Sequence, residues 1–497
     1  MKRLLLNLLS LFALLLLGLL LATSWFQPPP QTRLDLFQTN LILEAGEARN
    51  LQGPETDRAR QLAQVILGEE DPLKLASETY RKAADRLAKR IERSPVLPVD
   101  ATDIPTVEQP AQPATNKKMQ REQDALDLRT GILFAARGQL AEAQTYWREV
   151  QTPAQISTAE VLQGLWDPDI QRILPEAEPL IQDSLEGWFE TTALQRLYDL
   201  QQRTEALAEL GRNRDRMAIA ALNRLAIVGV VPMVGLLAGL GILAVWIGSL
   251  WRNKQPAFGP AWSVPWDLET MQGVLTIWFM TFLLSGQFVP VLFAYAWHLP
   301  SLNFTNLQQA IASFFTYVVT ATIGFGLLFG LTRTYEPVNT DLFQFRWQSN
   351  WPIWGVCGYL AAVPLVALTA LLSQTLLPEG GGGNPILPII LDSQDWVPRL
   401  IFFVMVAVLA PLFEETLFRG FLLTSLTKTL PVWAAIAISA VLFASVHLNL
   451  ADILPLTALG IVLGVIYTRS RNLLAPMLLH SCWNAGSFVA LLILGGS

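Results

Sequence analysis

The stretch LAIVGVVPMVGLLAGLGILAVWIGSL, residues 225–250, contains no Asp, Glu, Lys, Arg or His. About 20 apolar residues let an α-helix cross the hydrocarbon layer of a bilayer. A backbone immersed in lipid must satisfy its own hydrogen bonds, so the run reads as a transmembrane helix. Seven further apolar segments follow it, at about 270–297, 306–332, 352–377, 397–426, 431–450, 453–468 and 473–494. None has the alternating pattern of a barrel strand. The expected fold class is all-α: a polytopic helical membrane protein with an eight-helix membrane core.

In the other direction, residues 31–225 collect most of the charge of a chain that is 52 % hydrophobic and only 15 % charged, against about 25 % charged in soluble domains. Lys2 and Arg3 precede an apolar run at 4–21. That run exceeds the roughly 7–15 residues of a signal-peptide core, so residues 1–27 are expected to be a membrane anchor, with cleavage after Ala22 or Ser24 as the rival. Either way residues 28–224 are expected to be exported. Apolar spacing such as Leu62, Val65 and Ile66 fits amphipathic helix. Pro95, Pro98, Pro105, Pro110 and Pro113 make 94–118 an extended linker. Beyond it, Leu128, Leu133, Ala135, Ala136, Gly138, Ala141, Ala143, Tyr146 and Trp147 read as a helix hairpin turning at Arg137-Gly138, similar to one tetratricopeptide unit. No clear period suggests the array of about three repeats that such a stack needs. A plain helical domain is the favoured reading, and a protein partner bound through it the second one.

The net charge of -6 argues against a nucleic-acid partner, since neutralising phosphates needs a basic face. The two cysteines, Cys357 and Cys482, both lie in apolar segments. The exported region therefore holds no disulfide, and cysteine usage leaves its compartment open. Alternating the loops between two sides, with Lys2 and Arg3 in the cytoplasm, brings Arg252, Lys254, Arg333, Arg346, Lys428, Arg469 and Arg471 inside, and leaves 298–305 and 378–396 free of Lys and Arg. This predicts a cytoplasmic N-terminus and an outer C-terminus. Arg212, Arg214, Arg216 and Arg224 run against the rule, beside a long exported segment where it weighs less. The loop Pro378 to Pro385, with Gly380 to Gly383, lacks the Gly-Lys-Ser/Thr ending of a phosphate-binding loop and reads as a flexible outer loop.

Ionisable groups deep in a membrane span are costly and mark function by default. Glu414, Glu415 and Arg419 sit within the fifth core segment, and His447 and His480, two of only three histidines, sit in later ones. The third, His298, lies at a loop edge beside Trp297 and Pro300, as an interfacial residue does. Glu415 and Arg419, Phe443 and His447, and His480 and Asn484 are i, i+4 pairs, each on one helix face. Three helices can thus turn polar faces to a common cavity, and the inventory suits hydrolysis.

Three motifs, Glu414-Glu415-Thr416-Leu417-Phe418-Arg419, Phe443-Ala444-Ser445-Val446-His447 and His480-Ser481-Cys482-Trp483-Asn484, resemble, in order, those of the type II CAAX prenyl proteases and their bacteriocin-processing bacterial relatives. The resemblance covers roughly 397–494 and leaves the first 224 residues outside it. It implies an intramembrane peptidase with Glu414 as the general base that polarises a water and His447 helping to hold that water. Glu415 would pair with Arg419, and His480 and Asn484 would stabilise the oxyanion. It also implies a peptide or membrane-protein substrate, with a prenylated or otherwise lipidated tail suggested by the family name alone. Residue identity leaves a metal alternative open, because Glu414, His447 and His480 form a His2Glu set of the kind that holds catalytic zinc. The rival classes are a transporter or proton relay, which would predict internal repeat symmetry that is not seen, and a silent scaffold. Counted linearly, His447, His480 and Glu414 lie at different depths, so shifted helix starts or kinks at Pro411, Pro431, Pro455 and Pro476 are needed for them to meet.

Overall fold

The computed structural model describes residues 2–25, 31–51, 56–93, 112–169, 171–253, 256–298, 304–335, 342–377 and 395–495. The glycine-rich loop at 380–383 and residues 94–111 of the expected linker lie outside them. Among the described residues there are 17 helices and no strand. In chain order they are α1 (Lys2–Ser24), α2 (Gln31–Gly46), α3 (Asp57–Leu67), α4 (Pro72–Arg93), α5 (Gln112–Ala136), α6 (Leu140–Arg148), α7 (Pro153–Leu165), α8 (Ala177–Ser184), α9 (Gly187–Gln201), α10 (Thr204–Asn253), α11 (Leu268–Ala296), α12 (Asn306–Arg333), α13 (Trp351–Leu376), α14 (Trp396–Leu426), α15 (Val432–Ser445), α16 (Ile453–Ser470) and α17 (Leu474–Gly495). They form two units, one of residues 31–228 and one that joins the N-terminal helix to 229–496.

In the first unit, α5 and α6 make a hairpin that turns at Gly138, whose φ of +77° favours a residue without Cβ. The buried Trp147 indole donates to the Leu128 carbonyl at 3.1 Å. It lies over Gly131, where a Cβ would meet the indole nitrogen at 2.2 Å. The helix α5 starts at Gln112 rather than after 118. Pro113 falls in its first turn, where a missing N–H breaks no helix bond.

Buried Asp127 on α5 accepts both its hydrogen bonds from the Gln123 amide, at 3.0 and 3.1 Å. Burial pushes its carboxyl from 3.8 up to about 7, the Gln123 bond opposes this, and the charges of Glu149, Asp124 and Asp85 add to it. The folded state thus binds the proton more tightly than the unfolded chain. Its stabilising contribution is complete below about pH 4 and is lost as pH rises through about 7. Asp127→Asn is expected to slow amide hydrogen exchange along α5 at pH 8 relative to the unsubstituted chain, with the difference vanishing at pH 4. Equal exchange at both pH values would show that the carboxyl is not the sensitive group.

Among the described residues, eight helices are long and apolar enough to cross a membrane: α1, α10, α11, α12, α13, α14, α16 and α17. Their outward residues are large and apolar, as at Leu5, Val245 and Leu368, each at least 65 % exposed. That surface suits lipid and would be an aggregation hazard in water. The expected segment 431–450 is corrected to a 14-residue helix, α15, about 21 Å long. Its chain turns at Val446–Leu448, with Leu448 at φ +55°.

Despite its length, α15 connects the two ends of the bundle. At one end Lys428 donates to the carbonyls of Val264 and Trp266, Arg469 donates to Pro256 O, Arg471 stacks over Trp262, and Asn472 donates to Arg346 O. At the other end the loop after α15 is pinned by Leu450 N–H on Ser24 Oγ and by Ser373 Oγ donating to Ala451 O. The helix α1 packs Ala13 and Leu17 into the core. It also makes polar contacts with α11, Ser10 to Thr276 and Asn7 to Gln272.

Candidate active site

All six expected residues lie in the last four helices of the second unit or in the turn after α15. Their meeting depends on α14, which is not a regular helix. Wide π-helical turns at Met405–Leu409 and Thr416–Leu423 flank the α-helical segment Ala410–Glu415. Such turns recur at functional sites because they rotate one face of a helix against the rest. At the first of them Ala410 N–H reaches back to Met405 O, one residue further than in an α-helix. Val406 O loses that donor, and the next residue in register, Pro411, has no N–H. The Asn484 amide fills the vacancy, donating from Nδ2 to Val406 O at 2.7 Å. Of the other prolines, Pro431 caps α15, while Pro455 and Pro476 fall in the first turns of α16 and α17. These three set where helices start rather than bending them.

The core of the site is a buried ionic cluster. Arg419 and Glu415 are fully buried, and Arg419 Nη1 donates to Glu415 Oε1 at 2.9 Å. Arg419 Nη2 donates to Gly460 O at 3.2 Å. A Cβ at Gly460 would meet Ala440 Cβ at 2.8 Å, so the glycine lets α15 and α16 pack closely beside this contact. His480 Nδ1 bonds Glu415 Oε1 at 2.8 Å, and its Nε2 lies 3.9 Å from Glu414 Oε2. A carboxylate shared with Arg419 only accepts, so Nδ1 carries the proton and Nε2 faces Glu414. Glu415 is therefore committed to two partners, whereas Glu414 keeps about a fifth of its side chain exposed.

The Phe443 ring links this cluster to His447. The Arg419 guanidinium sits 4.4 Å over it, and the His447 and His480 rings meet it edge-on at 5.0 and 5.6 Å. A buried cation over an aromatic face is held by the ring quadrupole. His447 lies on the turn beyond α15, and its Nδ1 donates to Phe443 O at 2.8 Å. That bond fixes the tautomer, leaving Nε2 free to accept. His298 is exposed at the end of α11 and has no part in the cluster.

The structure thus joins Glu414, Glu415, Arg419 and His480 directly, brings in His447 through Phe443, and occupies one N–H of Asn484 with Val406 O. Among the described residues no three His, Cys, Asp or Glu side chains converge closely enough to hold a metal ion. As arranged, Glu414, His447 and His480 do not form such a group. What the residue pattern does not reveal is the freed carbonyl of Val406 and the bridging role of Phe443. Pro411 is the available signal for the first, and the i, i+4 spacing to His447 for the second.

Residues 396–486 match the family model described as type II CAAX prenyl endopeptidase Rce1-like. The chain is 30 % identical over 95 residues to the "Putative membrane peptidase YdiL" of Bacillus subtilis (strain 168), covering 19 % of this chain and 38 % of that one. It is 36 % identical over 90 residues to an uncharacterized 24.3 kDa protein of Escherichia coli, covering 17 % and 42 %. It is 32 % identical over 157 residues to the UPF0177 protein YxdF of Lactococcus lactis subsp. lactis (strain IL1403), covering 31 % and 82 %. The chain spans about two fifths of the length of the first two of these relatives. No solved structure matches it.

Proposed function

Because this chain belongs to the type II CAAX prenyl endopeptidase Rce1-like family, we propose that it is an intramembrane endopeptidase that hydrolyses peptide bonds with a water activated by Glu414. The observation that carries this reading is the division of labour within the Glu pair. Glu415 is held by Arg419 and His480, while Glu414 stays partly exposed and makes only the looser contact to His480 Nε2.

In the proposed step, Glu414 takes a proton from water as the water oxygen attacks the scissile carbonyl carbon. The carbonyl π electrons move to oxygen, forming the tetrahedral adduct. Collapse of the adduct breaks the C–N bond, and the proton held by Glu414 passes to the departing amine. His447 Nε2, the free acceptor, holds the second hydrogen of the water. The second N–H of Asn484 donates to the oxyanion. His480 joins it only as the imidazolium, which donates from both nitrogens, since its Nδ1 proton is already given to Glu415.

The substrate is proposed to be a peptide or membrane-protein segment entering from the lipid, with or without a lipidated tail. Residues 28–224 are proposed to be exported and to offer a surface for a protein partner. The end that carries Lys428, Arg469 and Arg471 is proposed to face the cytoplasm. Sidedness is read by a cysteine placed at Ser349, expected to react with an impermeant maleimide only after lysis. Reaction in intact cells would reverse the topology.

Turnover of a quenched, lipidated peptide library by the purified protein, with and without a strong chelator, tests the peptidase reading. Cleavage that persists with chelator is the expected result. Cleavage lost with chelator and restored by zinc would replace direct glutamate chemistry by metal chemistry. No cleavage of any peptide would favour the transporter or scaffold classes.

A further inference from the structure

Tyr317 lies on α12, far outside the matched residues 396–486. Its hydroxyl is buried and has no hydrogen-bond partner, although buried hydroxyls are almost always paired. The ring packs on the cluster that contains Met405, Phe402 and Phe488. Met405 precedes Val406, whose carbonyl holds Asn484. Phe488 is one turn along α17 from Asn484, on the same face. Tyr317 is therefore packed on the same layer of side chains as Met405, the neighbour of Val406 in sequence, and Phe488, the neighbour of Asn484 along its helix face. Phenylalanine would pack there equally well and would leave no orphaned donor.

Resting on the peptidase reading, we infer that Tyr317 is a further catalytic residue whose hydroxyl donates to the carbonyl oxygen of the scissile bond as that oxygen gains charge. Asn484 then contributes one donor from α17 and Tyr317 a second from α12. A donor without a partner before substrate arrives is aimed at charge that develops only in the transition state, where such a bond has most effect.

The test compares the unsubstituted chain with Tyr317→Phe in two assays. In turnover of a quenched peptide, Tyr317→Phe is expected to lower kcat about 10²-fold, with KM within twofold and thermal stability equal or higher. In binding, a hydrophobic peptide aldehyde, whose hydrate mimics the tetrahedral adduct, should lose affinity on substitution. The matching peptide alcohol should not. A kcat within threefold of the unsubstituted chain, or a loss of activity that follows a loss of thermal stability, overturns the assignment. Failure of the unsubstituted chain to cleave any peptide overturns the peptidase reading itself. The aldehyde arm then still decides Tyr317, because equal affinity for aldehyde and alcohol in the unsubstituted chain rejects a donor aimed at the adduct.

Discussion

Glu414→Gln is expected to lower turnover about 10²–10⁴-fold, the range that a positioned general base contributes, while leaving insertion and thermal stability unchanged. The amide keeps the shape of the carboxylate but cannot take a proton from water. Stability should hold because Glu414 is the member of the pair that the fold uses least. It is partly exposed, and its contact to His480 is 3.9 Å long. The substitution also leaves Glu415, Arg419 and the 2.8 Å bond to His480 in place. The comparison that matters is with Glu415→Gln, which weakens the acceptor shared by Arg419 and His480 and should cost both activity and stability. Loss of turnover in Glu414→Gln at an unchanged melting temperature is the signature of a base. Turnover within threefold of the unsubstituted chain would remove Glu414 from the mechanism.

The parts of this protein that are legible in its sequence are those in which physical cost is high. A charge inside an apolar run stands out because lipid penalises it, so the residue order alone exposes Glu414, Glu415 and Arg419, together with the i, i+4 relation of the last two. The long helices are visible for the same reason. The end of α15 is not. Val446, Leu448 and Leu450 continue the apolar run past the point where the helix stops at Ser445, so hydropathy does not mark the turn that carries His447. The π-helical turns of α14 are equally hidden, because a change of hydrogen-bond register leaves composition untouched. The turn after α15 sets His447 against the ring of Phe443, which His480 also meets, and the π-helical turn at Met405–Leu409 leaves Val406 O to Asn484. Tyr317 escapes a sequence reading because one hydroxyl among several in the apolar run of α12, such as Thr316 and Thr320, looks like ordinary packing. Only its lack of a partner in three dimensions distinguishes it.

Arg419→Ala is expected to destabilise the protein by about 3–5 kcal/mol, the usual cost of leaving one member of a buried ion pair uncompensated. Glu415 is fully buried and accepts from Arg419 and His480 through the same oxygen, Oε1. Without the guanidinium its charge would rest on His480 alone. The substitution also removes the cation over Phe443 and the donor to Gly460 O, so α14 loses ties to both α15 and α16. The pair is not an optimal one. Glu415 Oε2 and Arg419 Nε are buried without partners, and each unmade bond subtracts from the stability that the pair supplies. A double replacement, Arg419→Met with Glu415→Leu, should therefore recover much of the lost stability, as apolar substitutes for buried pairs often do. Activity should not return with it, because His480 would have lost the acceptor that holds its Nδ1 proton and turns Nε2 toward Glu414. Thermal unfolding in detergent and peptide turnover, measured on the single and double variants, separate the two effects. A melting temperature for Arg419→Ala equal to that of the unsubstituted chain would show that the cluster is not needed for the fold. Activity restored by the double replacement would show that orienting His480 is not its purpose.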